Sequence, residues 1–206
     1  MGKKVVIIGA GTAGLSVSNA LARKLGADNI TVVEPSESHM YQPWWTMVGG
    51  GIVKKEASRK PLKKLLNKGI HWEQDFAEEF LPEQNQVKLR SGKTLSYDVL
   101  IVAPGIQLDW DKIPGLKETL GKNGVCSNYS YDSVDSTWEF AKNLKSGRAI
   151  FTQPNTPIKC AGAPQKIMWL SEEWFRMQGV RDKVEVMFAG AGQAIFGVQK
   201  YKEALE

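Results

Sequence analysis

The sequence holds only two cysteines and two histidines in 206 residues. That is too few for a disulfide scaffold or an evident zinc site, so no metal role is expected for His39 or His71. No apolar run is long enough to cross a bilayer as a helix. Met1 leads almost directly into an apolar stretch at Val5, so no signal or transit peptide is expected. No internal repeat or low-complexity segment is present. Acidic residues are scarce in one place. Between Lys54 and Lys68, Glu56 alone faces Lys54, Lys55, Arg59, Lys60, Lys63, Lys64 and Lys68. This stretch carries +6, and the rest of the chain sums to −1 of the net +5. No nucleic-acid motif accompanies it. The stretch reads as a solvated helix face, with a surface for an anionic membrane or nucleotide phosphates as the alternative.

What is there is an ordinary globular balance, 42% hydrophobic and 24% charged, with length for one large domain or parts of two. Val5 to Ile8 are β-branched and read as a buried strand. Gly9, Gly11 and Gly14 follow at the G-x-G-x-x-G spacing. A helix comes next, with Ala13, Val17, Ala20, Leu21 and Leu25 as its apolar face and Gly26 as its stop. Ile30 to Val33 read as a second strand closed by Glu34. The three glycines have separate mechanical roles. Gly9 allows the turn, Gly11 the close approach of a pyrophosphate, and Gly14 the packing of helix on strand. The helix start offers free N–H groups to phosphate. Glu34 stands where an acid accepts hydrogen bonds from ribose hydroxyls. Together these features predict dinucleotide binding in an α/β fold.

Ser38 to Gly51 is rich in aromatics and ends in three glycines. It reads equally as the wall of a flat-ring site or as core, and the glycines allow close backbone approach. Pro61 to Gly69 predicts a short basic helix with Leu62, Leu65 and Leu66 inside. Ile70 to Phe76 predict a strand, Val87 to Tyr97 a hairpin around Ser91-Gly-Lys93, and Val99 to Ala103 another buried strand. Residues 1–110 form the first domain, 111–146 connect, with a helix near Trp138 to Leu144, and 147–206 begin a second. There Arg148 to Thr152 and Val184 to Ala189 read as strands around a helix from Pro164 to Gln178. The first turn of this second βαβ has Pro154 and Pro157 where a pyrophosphate would need backbone N–H donors, and proline has none. Gly190 to Ile195 follow the wrong strand for a fingerprint. A nicotinamide dinucleotide is not expected there.

Cys160 is the candidate for chemistry. It lies just before a helix start, where the dipole favours a thiolate, with Lys159 and Lys166 nearby in sequence. The other reading is a buried, inert cysteine. Cys126 reads as structural.

The segment Asn155–Met168 around Cys160 resembles the cysteine motif of the sulfide:quinone oxidoreductases, in their animal-mitochondrial and related bacterial branch. Val33–Ser36, His39–Pro43, Trp45-Thr46, Asn128–Ser130 and Ala194–Gly197 are similar to that family too. The resemblance covers the whole chain. It implies a flavoprotein built from two Rossmann-like domains, the second without nicotinamide binding, and FAD rather than NAD at the first. It implies that Gly9, Gly11, Thr12, Ala13 and Gly14 hold the FAD pyrophosphate and Glu34 the ribose. Gln42 would touch FAD, Ala77 would receive the adenine, and Ala103 and Gly105 would stand in a second flavin-contact turn. Cys160 would be one of two redox cysteines that carry persulfide sulfur.

Family members are about twice this length. Their second half carries the other redox cysteine, a Gly-Asp flavin motif, the quinone site and membrane-docking helices. No Gly-Asp pair occurs here, which implies a truncated flavoprotein. The implied partners are sulfide, quinone and a small sulfur acceptor, with no nucleic acid. The implied location is the inner mitochondrial membrane or a bacterial plasma membrane, with peripheral attachment through the second half. Two rivals stand beside this reading: a type II NADH:quinone dehydrogenase, and a non-catalytic FAD-binding module.

Overall fold

The computed structural model describes residues 2–156, 158–192 and 194–206. The chain packs as two compact units. One comprises the chain up to Tyr41 together with Ala57–Asp109, the other Gln42–Glu56 together with Trp110–Glu206.

The first unit is built on β1 (Val5–Ile8), followed by α1 (Thr12–Leu25), β2 (Ile30–Val33) and β3 (Ser38–Met40). Beyond the excursion of residues 42–56, where α2 (Trp45–Gly49) lies, come β4 (Arg59–Pro61), β5 (His71–Glu73) and β6 (Ala77–Leu81). Then follow β7 (Gln86–Leu89), β8 (Thr94–Ser96) and β9 (Val99–Val102). A parallel sheet runs in the order β5-β2-β1-β9, with Val5 opposite Ile30 on one side and Val99 on the other. Both faces of β1 are covered, which is why its sequence is apolar at every position rather than at alternate ones. Val5 and Ile7 enter one core with Ala22 and the fully buried Leu62. Val6 and Ile8 enter another with Val87 and Leu89 of the β6-β7-β8 meander.

Four local expectations change. The buried face of α1 is Gly14, Ser18 and Ala22, whereas Ala13, Ala20 and Leu25 face outward. Small side chains at this i, i+4, i+8 spacing let the helix lie close on β1. The basic helix at Pro61 is instead β4 followed by one 3₁₀ turn, Leu62–Lys64. The Leu62 N–H is given to Glu37 O, and Asn19 binds Leu65 O and the Asn67 N–H, so this backbone is tied to neighbours rather than to itself. The strand at Ile70 is cut to three residues. β9 is an edge among the described strands, and Val102 is 55% exposed. β6 is not legible in the sequence, because its Glu78 and Glu79 break any strand pattern.

The second unit adds α3 (Leu116–Thr119), α4 (Val134–Asn143), β10 (Gly147–Gln153), α5 (Ala163–Met177), β11 (Val184–Gly190) and α6 (Gln199–Leu205). β10 and β11 pair in parallel from Gly147–Val184 to Gln153–Gly190, as the βαβ reading expects. The α2 segment packs against α4 and α5. A Cβ on Gly50 would stand 2.8 Å from Leu170 Cδ1, and one on Gly51 would meet the Trp138 ring. Trp45 and Val48 are core, while Trp44 and Tyr41 remain near 40% exposed. The aromatic segment is therefore divided between core and surface. Trp138 meets Trp174 edge-on at 4.7 Å.

A methyl at Gly14 would run into the carbonyl oxygen of Gly9. Alanine gains about 1 kcal/mol of helix propensity over glycine. Overpacking a tight contact costs about 1–3 kcal/mol. Gly14→Ala should therefore lower the urea midpoint, and a raised midpoint would show that α1 has room to spare over β1.

Candidate functional site

In the first unit the glycine turn closes on itself. Gly9 has φ +93, donates its N–H to Val33 O at 2.8 Å, and has no space for a Cβ beside Ala103 O. Gly11 differs. Its φ is −64, and nothing lies within 4 Å of where its Cβ would be. That open space lies at the start of α1, whose first turn has no acidic residue and no side-chain cap. Thr12 and Ala13 are exposed there. The uncapped N–H groups of this turn can receive an anion.

Glu34 does more than wait for a ribose. One carboxylate oxygen accepts the Ala10 N–H at 2.8 Å and the other accepts the Ser36 N–H at 2.9 Å. Its own carbonyl accepts Trp72 Nε1–H at 2.8 Å. His39 Nδ1 lies 3.1 Å from Ala10 O, on the next peptide of the turn. Spacing alone assigns His39 no part in the turn, and only its place in an apolar–polar segment just past β2 hints at one. Ala103 follows β9 and donates its N–H to Ile8 O at 2.8 Å, and Gly105 has φ +78 with open space around it. Ala77 opens β6 opposite Leu89. The loop before it is fastened by Asp75. Its carboxyl is held below the usual range by Ser91 first and by the Phe76 N–H second.

In the second unit Gln42 begins a 3₁₀ turn, Gln42–Trp44, and is half-buried. Cys160 is exposed, not buried. Its carbonyl accepts the Ala163 N–H at 3.1 Å, which sets the thiol on the turn leading into α5. The neighbouring Lys159 N–H donates to Tyr129 Oη at 3.3 Å, and Lys159 Nζ lies 5.9 Å from the centre of that ring. Burial pushes the Lys159 ammonium below its ordinary pKa. Lys166 is exposed on the first turn of α5, and among the described residues no hydrogen bond or ion pair joins it to Cys160. Cys126 is half-buried. Burial pushes its thiol up, against a smaller downward pull from the Thr137 hydroxyl. Pro154 follows β10, as the absence of a glycine fingerprint expects, and Pro157 lies outside the described residues. Among the described residues no cluster of His, Cys, Asp and Glu could hold a metal ion.

The glycine turn and its strand order match a known family. A model described as "Pyridine nucleotide-disulphide oxidoreductase" covers residues 3–145. The chain belongs to this family of oxidoreductases. It is 51% identical over 205 residues to the mitochondrial sulfide:quinone oxidoreductase of Dictyostelium discoideum, covering 98% of this chain and 45% of the relative. It is 45% identical to the mouse mitochondrial sulfide:quinone oxidoreductase over 98% of this chain and 45% of that one. The fold is similar to the solved sulfide:quinone oxidoreductase of Aquifex aeolicus, at TM-score 0.77, 22% identity and coverage of 98% of this chain and 48% of that chain. The chain thus spans about half the length of these relatives. The α/β, Rossmann-like fold class is that of the family.

The two thiols should separate by reactivity. A neutral disulfide reagent should modify Cys160 rapidly in the native protein and Cys126 slowly, because only a thiolate attacks and burial keeps Cys126 protonated. Cys160→Ser should remove the fast phase alone. A native Cys126 that reacts as fast would contradict the burial described.

Proposed function

We propose that this chain is the FAD-holding part of a sulfide:quinone oxidoreductase and that Cys160 is one of its redox cysteines. The observation that carries the reading is the exposed Cys160 turn, set between β10 and α5 by Tyr129 and Ala163. This is where a nicotinamide-binding βαβ would place its phosphate turn, and Pro154 stands there instead. The similarity of nearly the whole chain to relatives named as sulfide:quinone oxidoreductases supports it.

The residues present fit FAD. Gly11 leaves the space that a pyrophosphate needs, and the N–H groups of Thr12, Ala13 and Gly14 supply donors to it. Gly9 holds the turn against Ala103. Glu34 keeps lone pairs for a ribose beyond those given to Ala10 and Ser36. By the family resemblance, Gln42, Ala77, Ala103 and Gly105 are further contacts. Bound flavin would supply a two-electron acceptor able to pass its pair to quinone.

The protein's own step is thiol chemistry. Sulfide attacks the sulfur bridge, at the disulfide level, between Cys160 and a partner cysteine from outside this chain. A new sulfur–sulfur bond forms on the partner cysteine, and the old bond breaks to release Cys160 as thiolate. The attacking sulfur is oxidised by two electrons, and that pair now resides on Cys160, ready for the flavin. The persulfide sulfur leaves to a small acceptor. Lys159 and Lys166 favour the released anion. The protein would work at an inner mitochondrial or bacterial plasma membrane. Because the chain spans about half of its relatives, a second reading is an FAD-binding module without turnover of its own.

Gly11→Ala tests the cofactor site. The methyl has room and the backbone is ordinary, so thermal stability should stay within about 0.5 kcal/mol of wild type. FAD retention should nevertheless fall at least about tenfold, because the methyl fills the approach of the pyrophosphate. Unchanged FAD binding would place the flavin elsewhere. NADH should not bleach the bound flavin, and rapid bleaching would favour the NADH dehydrogenase rival.

A further inference from the structure

His39 has no part in the reaction proposed above. It is carried by β3, which pairs with β4 through Ser38–Pro61, His39–Lys60 and Met40–Arg59. That ladder is tied at both ends. The Leu62 N–H is given to Glu37 O at 2.8 Å, and the Tyr41 N–H to Ser58 O at 2.7 Å. Arg59 Nε donates to Ser38 Oγ at 2.9 Å. A fastened strand therefore presents the half-buried imidazole, with Nδ1 3.1 Å from Ala10 O. A carbonyl oxygen can only accept, so Nδ1 carries the proton and donates it.

Ala10 O and the Gly11 N–H belong to one peptide group. Every peptide bond among the described residues is trans, so this carbonyl and this N–H point in opposite directions. His39 takes the carbonyl, which leaves the N–H aimed away from the imidazole. Among the described residues the Gly11 N–H has no acceptor. Gly11 is exposed, and nothing lies within 4 Å of where its Cβ would stand. The peptide before it is closed instead. Its N–H, on Ala10, goes to Glu34 Oε2 at 2.8 Å, and its carbonyl, on Gly9, lies against Gly14. Of these two successive N–H groups, Glu34 takes one and the other stays free. A peptide plane beside a glycine turns over at little steric cost. Turned over here, it would show a carbonyl oxygen to an incoming anion.

We propose that His39 is a positioning residue of the pyrophosphate site: its bond to Ala10 O keeps the Ala10–Gly11 peptide from turning over and aims the Gly11 N–H at the diphosphate. The same bond polarises the peptide and makes that N–H a better donor, as in any chain of hydrogen bonds. This role rests on the FAD reading given above and deepens it. It needs neither Cys160 nor the missing half of the relatives, because every group it uses lies in the first unit.

The test is FAD titration of the full-length apoprotein, followed by quenching of flavin fluorescence, with the melting temperature of each apoprotein as the check on folding. His39→Ala should weaken FAD binding about tenfold, the low end for a hydrogen bond to a charged group. His39→Asn, whose amide Nδ2 can stand in for Nδ1, should hold affinity within about threefold of wild type. Combination with Gly11→Ala separates aiming from mere support. That methyl already keeps the pyrophosphate off the turn, so adding His39→Ala to it should weaken binding by less than about twofold more. A purely structural His39 would lower affinity by the same factor in both backgrounds. Equal factors, unchanged affinity in His39→Ala, or an asparagine variant as weak as the alanine one would each overturn the proposal and leave the FAD reading standing. Absence of FAD uptake by the wild type would overturn both.

Discussion

The carboxylate of Glu34 fastens the glycine turn. It accepts the Ala10 N–H from the turn and the Ser36 N–H from the chain leaving β2, so two loops share one anion. Hydrogen bonds to a charged group contribute about 1.5–3 kcal/mol each. The His39 ring meets the carbonyl of the same Ala10, so the peptides on both sides of that residue are held. Gly9 and Gly14 are closed by packing, and only Gly11 of the three is left open. The result is a turn whose shape is set before any ligand arrives. Preorganisation of this kind lowers the ordering cost of binding.

The second unit applies the same βαβ plan to a different end. Its parallel strands and α5 repeat the layout of the first, but the turn after β10 presents a thiol in place of glycines. Two cysteines in one unit are given opposite settings. Cys160 is exposed on a turn, and Cys126 is half-buried beside Thr137. Burial that raises the Cys126 thiol pKa lowers its nucleophilicity. The same logic qualifies Lys159. Its ammonium lies 5.9 Å from the centre of the Tyr129 ring and is partly desolvated, so it gives up its proton more readily than an exposed lysine.

Much of the first unit is legible in the sequence because its signals are local. Val5 to Ile8, the three glycines and Glu34 stand in one short stretch, and the period of each element is visible in it. The second βαβ is legible for the same reason. What escapes a reading of the sequence depends on distant partners. Pro61 and Leu62 look like a helix start, but Glu37 and Asn19 take the hydrogen bonds a helix would have used. Periodicity puts the apolar face of α1 on its larger residues, whereas closeness to β1 selects Gly14, Ser18 and Ala22. The partners of His39 and Lys159 lie in segments that no spacing rule connects to them.

In the proposed reaction Cys160 is the thiol that receives the electron pair from sulfide. Flavin-loaded full-length protein, with the partner cysteine present, should be mixed with sulfide without oxygen while the visible flavin absorbance is followed. The wild type should bleach, Cys126→Ser should keep most of that response, and Cys160→Ser should keep its flavin and show no bleaching. Normal bleaching in Cys160→Ser would contradict the role proposed for this thiol.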